Sequence, residues 1–255
     1  MILVLTSCAG LHQDQVRFDR LTDCPQQTAA DLMAQAHEIG SSSENLVLEC
    51  ALTVLRDTAD AAAIRSALGG RIALLLAERE VNPEKREKLA AEGVRFAEAA
   101  LAHGGNEDGA VHYYLAANLG LAVREHLTLA VENLDRLENG MKRALALSPA
   151  IDHGGPLRLL GALYLQAPPW PQGIGDLDKA LELLKKAVAD YPEHPINRLF
   201  YAQALWHDGS DASMDQARAE FAMGKKLLAE GQWGYSKAAW EKEFAAFAQE
   251  FMETD

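Results

Sequence analysis

The strongest constraint on this chain is a spacing that recurs three times in its second half. Leu119-Gly120-x2-Val123, Leu160-Gly161-x2-Tyr164 and Ala202-Gln203-x2-Trp206 follow one another at 41 to 42 residues. Behind each comes a second set at intervals of four, three and five residues. These sets are Leu137, Met141, Ala144 and Pro149; Ala180, Leu184, Ala187 and Pro192; and Ala217, Phe221, Gly224 and Ala229. Small residues let two helices approach, and larger ones fill the space beside them. A proline cannot continue the second helix and stops it. The pattern therefore predicts stacked helix pairs, each burying its apolar face against the next.

The intervals are those of a tetratricopeptide unit, L-G-x2-Y on the first helix and A-x3-F-x2-A on the second. The period exceeds the usual ~34 residues because each unit carries extra turn residues. The longest of these, Gln166 to Gly173, is proline-rich and carries Trp170. No stretch shows strand alternation. The expected fold class is all-α, a helical bundle or solenoid of degenerate tetratricopeptide-like helix pairs.

Upstream of the repeats the signals are plainer. A helix pattern runs from Pro25 through Ile39, and another from Asn45 to Asp57 with Ser43 as its cap. Asp60 caps a long helix from Ala61 to about Val81, interrupted at Gly69-Gly70 for close packing or a kink. Asn82-Pro83 opens the helix from Glu84 to His103, and Glu84 pairs with Lys88 one turn on. Helices follow over 110–125 and 126–147, and a final amphipathic helix reaches about Phe251. The domain reading is 1–8 as a signal remnant, 9–24 as a polar tether and 25–255 as one helical domain.

The N-terminal run Met1-Ile-Leu-Val-Leu-Thr-Ser-Cys8 is too short to span a bilayer. Its last four residues resemble a bacterial lipobox, which makes Cys8 the expected lipidation site; an ordinary cysteine in a short buried segment is the competing reading. The basic opening of a full signal peptide is missing, so the natural start is expected upstream. Ala9, rather than Asp, after the cysteine favours the outer membrane over the inner. Cys24 and Cys50 then form either a disulfide, which an exported compartment permits, or two buried thiols.

The formal net charge of −13 argues against nucleic-acid binding, which needs a basic patch. Catalytic motifs are missing. The histidines are dispersed, no metal-ligand spacing occurs and Gly173-Ile-Gly175 follows no strand. The expectation is a non-enzyme without metal or cofactor. The binding candidates are aromatic and polar residues near the repeat turns: Tyr113, Tyr114, Asn118, Leu121, Arg158, Leu160, Tyr164, Trp170 and Trp206. For Tyr164 and Trp206, packing between helices is the favoured explanation over a ligand contact. Asn118 is either a satisfied core amide or a ligand contact, and Arg158 either ties its loop through Asp152 or faces a ligand.

The combination of Cys8, Tyr113-Tyr114-x3-Asn118-x-Gly120, Asp152-x-Gly154-Gly155-x2-Arg158-x2-Gly161 and Pro168-Pro169-x-Pro171-x-Gly173 resembles the T-component (TatT-like) lipoproteins associated with TRAP transporters. The resemblance covers most of residues 25–250. It implies an all-helical periplasmic protein that works beside a periplasmic binding protein, encloses a hydrophobic cavity and can form homo-oligomers. A TatT-like protein is also the third component of a bacterial sterol transporter. The expected function is accordingly a lipid-anchored periplasmic protein that binds a lipid, sterol-like or otherwise, between its helices. The competing expectation is a tetratricopeptide scaffold that docks a periplasmic solute-binding protein.

Overall fold

The structure, a computed structural model, describes residues 10–19 and 21–253, with side chains described to residue 249. The lipidation expectation at Cys8 lies outside the described residues. Thirteen α-helices occur among them and no strand. They are α1 (Ala29–Ala34), α2 (Asn45–Arg56), α3 (Ala61–Arg65), α4 (Leu68–Arg79), α5 (Pro83–Ala102), α6 (Gly109–Val123) and α7 (Leu127–Glu132). There follow α8 (Leu134–Leu147), α9 (Gly155–Gln166), α10 (Leu177–Asp190), α11 (Pro195–Asp208), α12 (Asp211–Glu230) and α13 (Lys237–Glu253).

Local chemistry sets most helix starts. Asp60 accepts from the amides of Ala62 and Ala63, Asn82 from Lys85, Asp108 from Ala110 and Asp176 from Lys179. Each satisfies amides that have no partner within the helix. Ser43 does not cap α2: its hydroxyl accepts from the Gly40 amide instead, and Glu44 stands at the cap. The long helix expected from Ala61 breaks at Ser66–Ala67, two residues before the glycines. There the Ser66 hydroxyl donates to the Ala63 carbonyl and accepts from the Leu68 amide, closing one helix and opening the next. The expected helix at 126–147 is likewise two, parted at Asn133, whose side chain turns back onto the Leu129 carbonyl. Of the pattern over 25–39 only α1 is regular helix.

From α4 onward, successive helices pack side by side: α4 on α5, α5 on α6, α6 on α8, α9 on α10 and α11 on α12. The repeat residues sit where the spacing puts them. Ala144, Ala180, Leu184, Ala187 and Ala217 are fully buried. A Cβ on Gly161 would lie 2.6 Å from Leu184 Cγ, so α9 and α10 approach as closely as they do only because position 161 is bare.

The chain curves, and its far end comes back to its beginning. α13 packs on α11 and α12 and also on α4. At this seam the Tyr235 amide donates to the Ser41 carbonyl at 2.7 Å. The Arg79 guanidinium donates to the carbonyls of Gly40, Ser41 and Ser43 and lies over the Tyr235 ring, 5.1 Å from its centre. The inner wall of the closed arc is made mainly by α4, α6, α7, α8, α9, α11 and α13, while α10 and α12 lie outside it.

Residues expected to form a free polar tether are packed instead. Leu11, Val16 and Phe18 are buried in the main core, Arg95 donates to the His12 carbonyl, and Arg56 lies over the Phe18 ring. Cys24 and Cys50 form a disulfide that pins this stretch to α2. An apolar residue at every few positions of an otherwise polar leader suffices to hold it down.

Candidate functional site: an interhelical cavity with a polar cluster

The inner wall surrounds a partly open cavity of about 1450 Å³. That exceeds the ~300–1,000 Å³ of clefts that take drug-sized ligands. Most of its lining is apolar. Leu74 and Leu75 come from α4, Leu121 from α6, Leu137 and Met141 from α8, Leu159 and Leu163 from α9, and Phe200 from α11. Helical periodicity explains the wall. On α4 the stripe Arg71, Leu74, Leu75, Glu78 faces inward, while Ile72, Ala73 and Leu76 are buried in the core.

A polar cluster interrupts this surface. Its scaffold is an unusual turn before α9. Asp152 and His153, at φ 49° and 52°, and Gly154, at φ 80°, are three successive left-handed residues. L-residues resist that conformation, so surrounding bonds must hold it. Arg158 donates to the Asp152 carbonyl at 3.2 Å and to Asn197 Oδ1 at 2.8 Å. Asn197 in turn donates to the His153 carbonyl at 3.0 Å. The turn aims the Asp152 carboxylate at Arg158, with which it forms an ion pair, and at the Tyr113 hydroxyl, which donates to it at 2.7 Å. Burial pushes the Asp152 carboxyl up, but Arg158, His194 and the Tyr113 bond outweigh it and hold it below its ordinary value. Burial and the neighbouring carboxylate raise the Tyr113 hydroxyl well above its usual range, so it stays protonated and donating.

Two further members stand against this pair. His194 is 3% exposed, stacked on His153 and edge-on to Trp233 and Trp240. Burial and the Arg158 charge push it down to about 3, so the ring is neutral. Its Nδ1 is buried without a hydrogen-bond partner. Glu78 projects from α4 into the cavity. Among the described residues it has neither a hydrogen bond nor an ion pair. It is open to the cavity space yet surrounded by protein, and burial with repulsion from Asp152 pushes its carboxyl up to about 7 against the pull of Arg158 and Arg79.

Of the residues singled out from sequence, Tyr113, Tyr114, Leu121 and Arg158 line the cavity. The others do not. Asn118 is fully buried and ties α6 to α4, donating to the Gly70 carbonyl at 2.9 Å and to Tyr114 at 2.7 Å, with its amide laid against Gly93. Leu160 is core. Tyr164 is buried on the outer side of α9, its hydroxyl bonded to Glu138 and its ring under Lys179. Trp206 packs against both C-terminal clusters with Arg218 over its ring. Trp170 is 84% exposed, because the insertion folds onto itself and turns the indole outward. Sequence reasoning missed Glu78, His194 and Trp240. The signal for Glu78 was present: it lies on the helical face of Arg71, Leu74 and Leu75 as an acid ending an apolar run. His194 and Trp240 carried no local signal, since they meet each other only where the start of α11 packs against α13.

No group of three or more His, Cys, Asp or Glu among the described residues has the arrangement of a metal site. No helix among them is long and apolar enough to cross a membrane. No protein-family model matches the chain, and no curated protein matches it.

Proposed function

We propose that this protein is a periplasmic carrier, tethered through lipidated Cys8, that holds a hydrophobic small molecule between its helices within an envelope transport system. The observation that carries the reading is the large cavity, whose wall holds many Leu, Ala and aromatic side chains with polar groups set among them, the Asp152–Arg158–Tyr113 cluster included. Apolar burial at about 25 cal/mol per Å² supplies the affinity, and a few polar groups supply orientation. The Cys24–Cys50 disulfide fits an oxidising compartment. Handover to a periplasmic binding protein is part of the same reading.

The test is to incubate the purified chain with a bacterial membrane-lipid extract, re-isolate it and analyse the solvent-extracted lipid by mass spectrometry. One enriched apolar species is expected. Recovery of bulk phospholipid in the proportions of the extract would sink the carrier reading. One observation favours a protein-docking role instead: Trp170 stands on the surface, away from the cavity, on a proline-braced loop. Under that reading, Trp170→Ala would abolish capture of a solute-binding protein while leaving lipid recovery unchanged.

A further inference from the structure

Three connectors meet at one end of the arc. Glu80, just past α4, pairs with Lys85 of α5, and Arg86 beside it pairs with Glu125, just past α6, so the ends of α4 and α6 lie together. α7 follows there. The insertion after α9 reaches the same place: a Cβ on Gly173 would lie 3.2 Å from Leu134, which opens α8 directly after α7. The three most exposed large apolar side chains among the described residues stand on these connectors, Trp170 at 84%, Leu127 at 76% and Val81 at 71%. Val81, Leu127 and Val131 also line the cavity, as does Pro168 at the root of the Trp170 loop. A side chain that is both open to solvent and part of the wall sits at a rim, so this end is a mouth of the cavity with an apolar lip. Cations beside it are matched by carboxylates: Lys85 by Glu80, Arg86 by Glu125 and Arg124 by Glu243. A cluster of exposed apolar side chains bordered by charges marks a surface that is covered in use.

The path of the leader points to what covers it. His12 lies 3.4 Å from Glu87 of α5, and Glu87 also bonds His126, the residue before α7, at 3.0 Å. Gly10 rests on α7 itself, where a Cβ would lie 2.7 Å from Leu129. Two residues of chain span at most about 7 Å, so Cys8 is held within that reach of Gly10 and of this end of the arc. We propose that this end, with Val81, Leu127, Val131 and Trp170, docks on the surface of a lipid bilayer and turns the mouth of the cavity toward it. The assignment rests on the carrier reading and on lipidation of Cys8, and it adds the route by which cargo enters and leaves. A lipid anchor beside α7 holds the chain to the membrane but leaves it free to pivot. Apolar side chains around the mouth fix which way it faces. The indole of Trp170 suits the bilayer interface, with an apolar ring and one N–H donor. Because the neighbouring charges are matched in pairs, the lip binds by apolar insertion rather than by attraction to anionic headgroups.

The experiment uses the full chain in a Cys8→Ser background, which carries no acyl group, so flotation with phosphatidylcholine vesicles reads the protein surface. Leu127→Asp and Val81→Asp are each expected to lower vesicle partitioning ~10-fold or more, the factor lost when a leucine or valine no longer leaves water. Both side chains stand in solvent, so the variants fold, and an unchanged melting temperature by circular dichroism checks it. Met223→Asp, at an exposed apolar residue of α12 outside the arc, leaves partitioning unchanged. Phospholipid brominated on its acyl chains quenches Trp170, read as the difference between the parent and Trp170→Phe. Adding phosphatidylglycerol to the vesicles does not change partitioning of the parent. Equal flotation of the parent, Leu127→Asp and Val81→Asp overturns the docking surface. Flotation that appears only with phosphatidylglycerol overturns apolar insertion. Loss of solute-binding-protein capture in the same variants, with flotation intact, overturns the bilayer in favour of a protein partner. The carrier is read separately, by lipid recovered from a detergent-dispersed extract. Recovery by a parent that does not float overturns the docking surface and leaves the carrier standing; flotation without recovery overturns the carrier and the route, and leaves the surface standing.

Discussion

Glu78 carries a pH signature in the unliganded protein. Its folded value of about 7 lies above the ordinary 4.5 that an unfolded chain presents. Below 4.5 both states hold the proton, so the group is neutral to stability. Between 4.5 and 7 the unfolded state has lost its proton and the folded state has not, so stability falls as pH rises through that window. Above it the penalty is constant. Glu78→Gln is therefore expected to raise the melting temperature at pH 8 and leave it unchanged at pH 4, as read by circular dichroism. An equal effect at both values would show that Glu78 ionises freely. At this scale the sequence was partly legible. Arg158 was found because it follows a glycine pair that marks a turn, and Tyr113 because, with Tyr114, it stands at the start of a helix after a glycine-rich loop. Asn118 and Tyr164 stayed open between packing and binding, because a polar atom on an apolar helix reads the same whether its partner is a ligand or a neighbouring helix. Their partners here, the Gly70 carbonyl and Glu138, belong to other helices.

At the scale of elements, capping and spacing fix where most helices start, and the repeat intervals fix how they pair. The breaks at Ser66 and Asn133 escaped notice because a hydroxyl or amide that turns back on its own helix leaves the apolar periodicity intact. One contact between elements stands out. Glu92 of α5 is 2% exposed and takes two bonds from Arg56 of α2, at 2.6 and 2.7 Å. Removing one member strands the other charge in the core. Glu92→Ala is expected to destabilise the fold by about 3–5 kcal/mol in urea unfolding, whereas Arg56→Leu with Glu92→Leu together lies much nearer the parent. If the single and double variants were equally destabilised, the ion pair would be irrelevant and the packing of its alkyl stems would carry the contact.

Across the whole molecule, the disulfide and the seam act on the same region from two sides. The Cys24–Cys50 bond links residues 26 apart and fastens the leader to α2, which sits on α4. Replacing both cysteines with Ser is expected to lower unfolding stability by about 3 kcal/mol, with the same shift in the parent under a reducing agent. A shift from reductant in the double variant would point to a different cause. This level of organisation was the least visible in the sequence. A 41- to 42-residue period predicts that helix pairs stack, but it is silent on how far the stack bends.

That bend has a consequence for how such a chain can change over time. An open array of helix pairs tolerates duplication or loss of a unit, since only nearest neighbours notice. Here the arc must return to α4, where the Tyr235 amide meets the Ser41 carbonyl and Arg79 clasps the loop beside it. One unit more or fewer alters the circumference, and the two ends no longer meet. Copy number and the size of the cavity are thereby locked together: the chain can retune its interior one side chain at a time, but it cannot grow or shrink by a whole unit and remain closed.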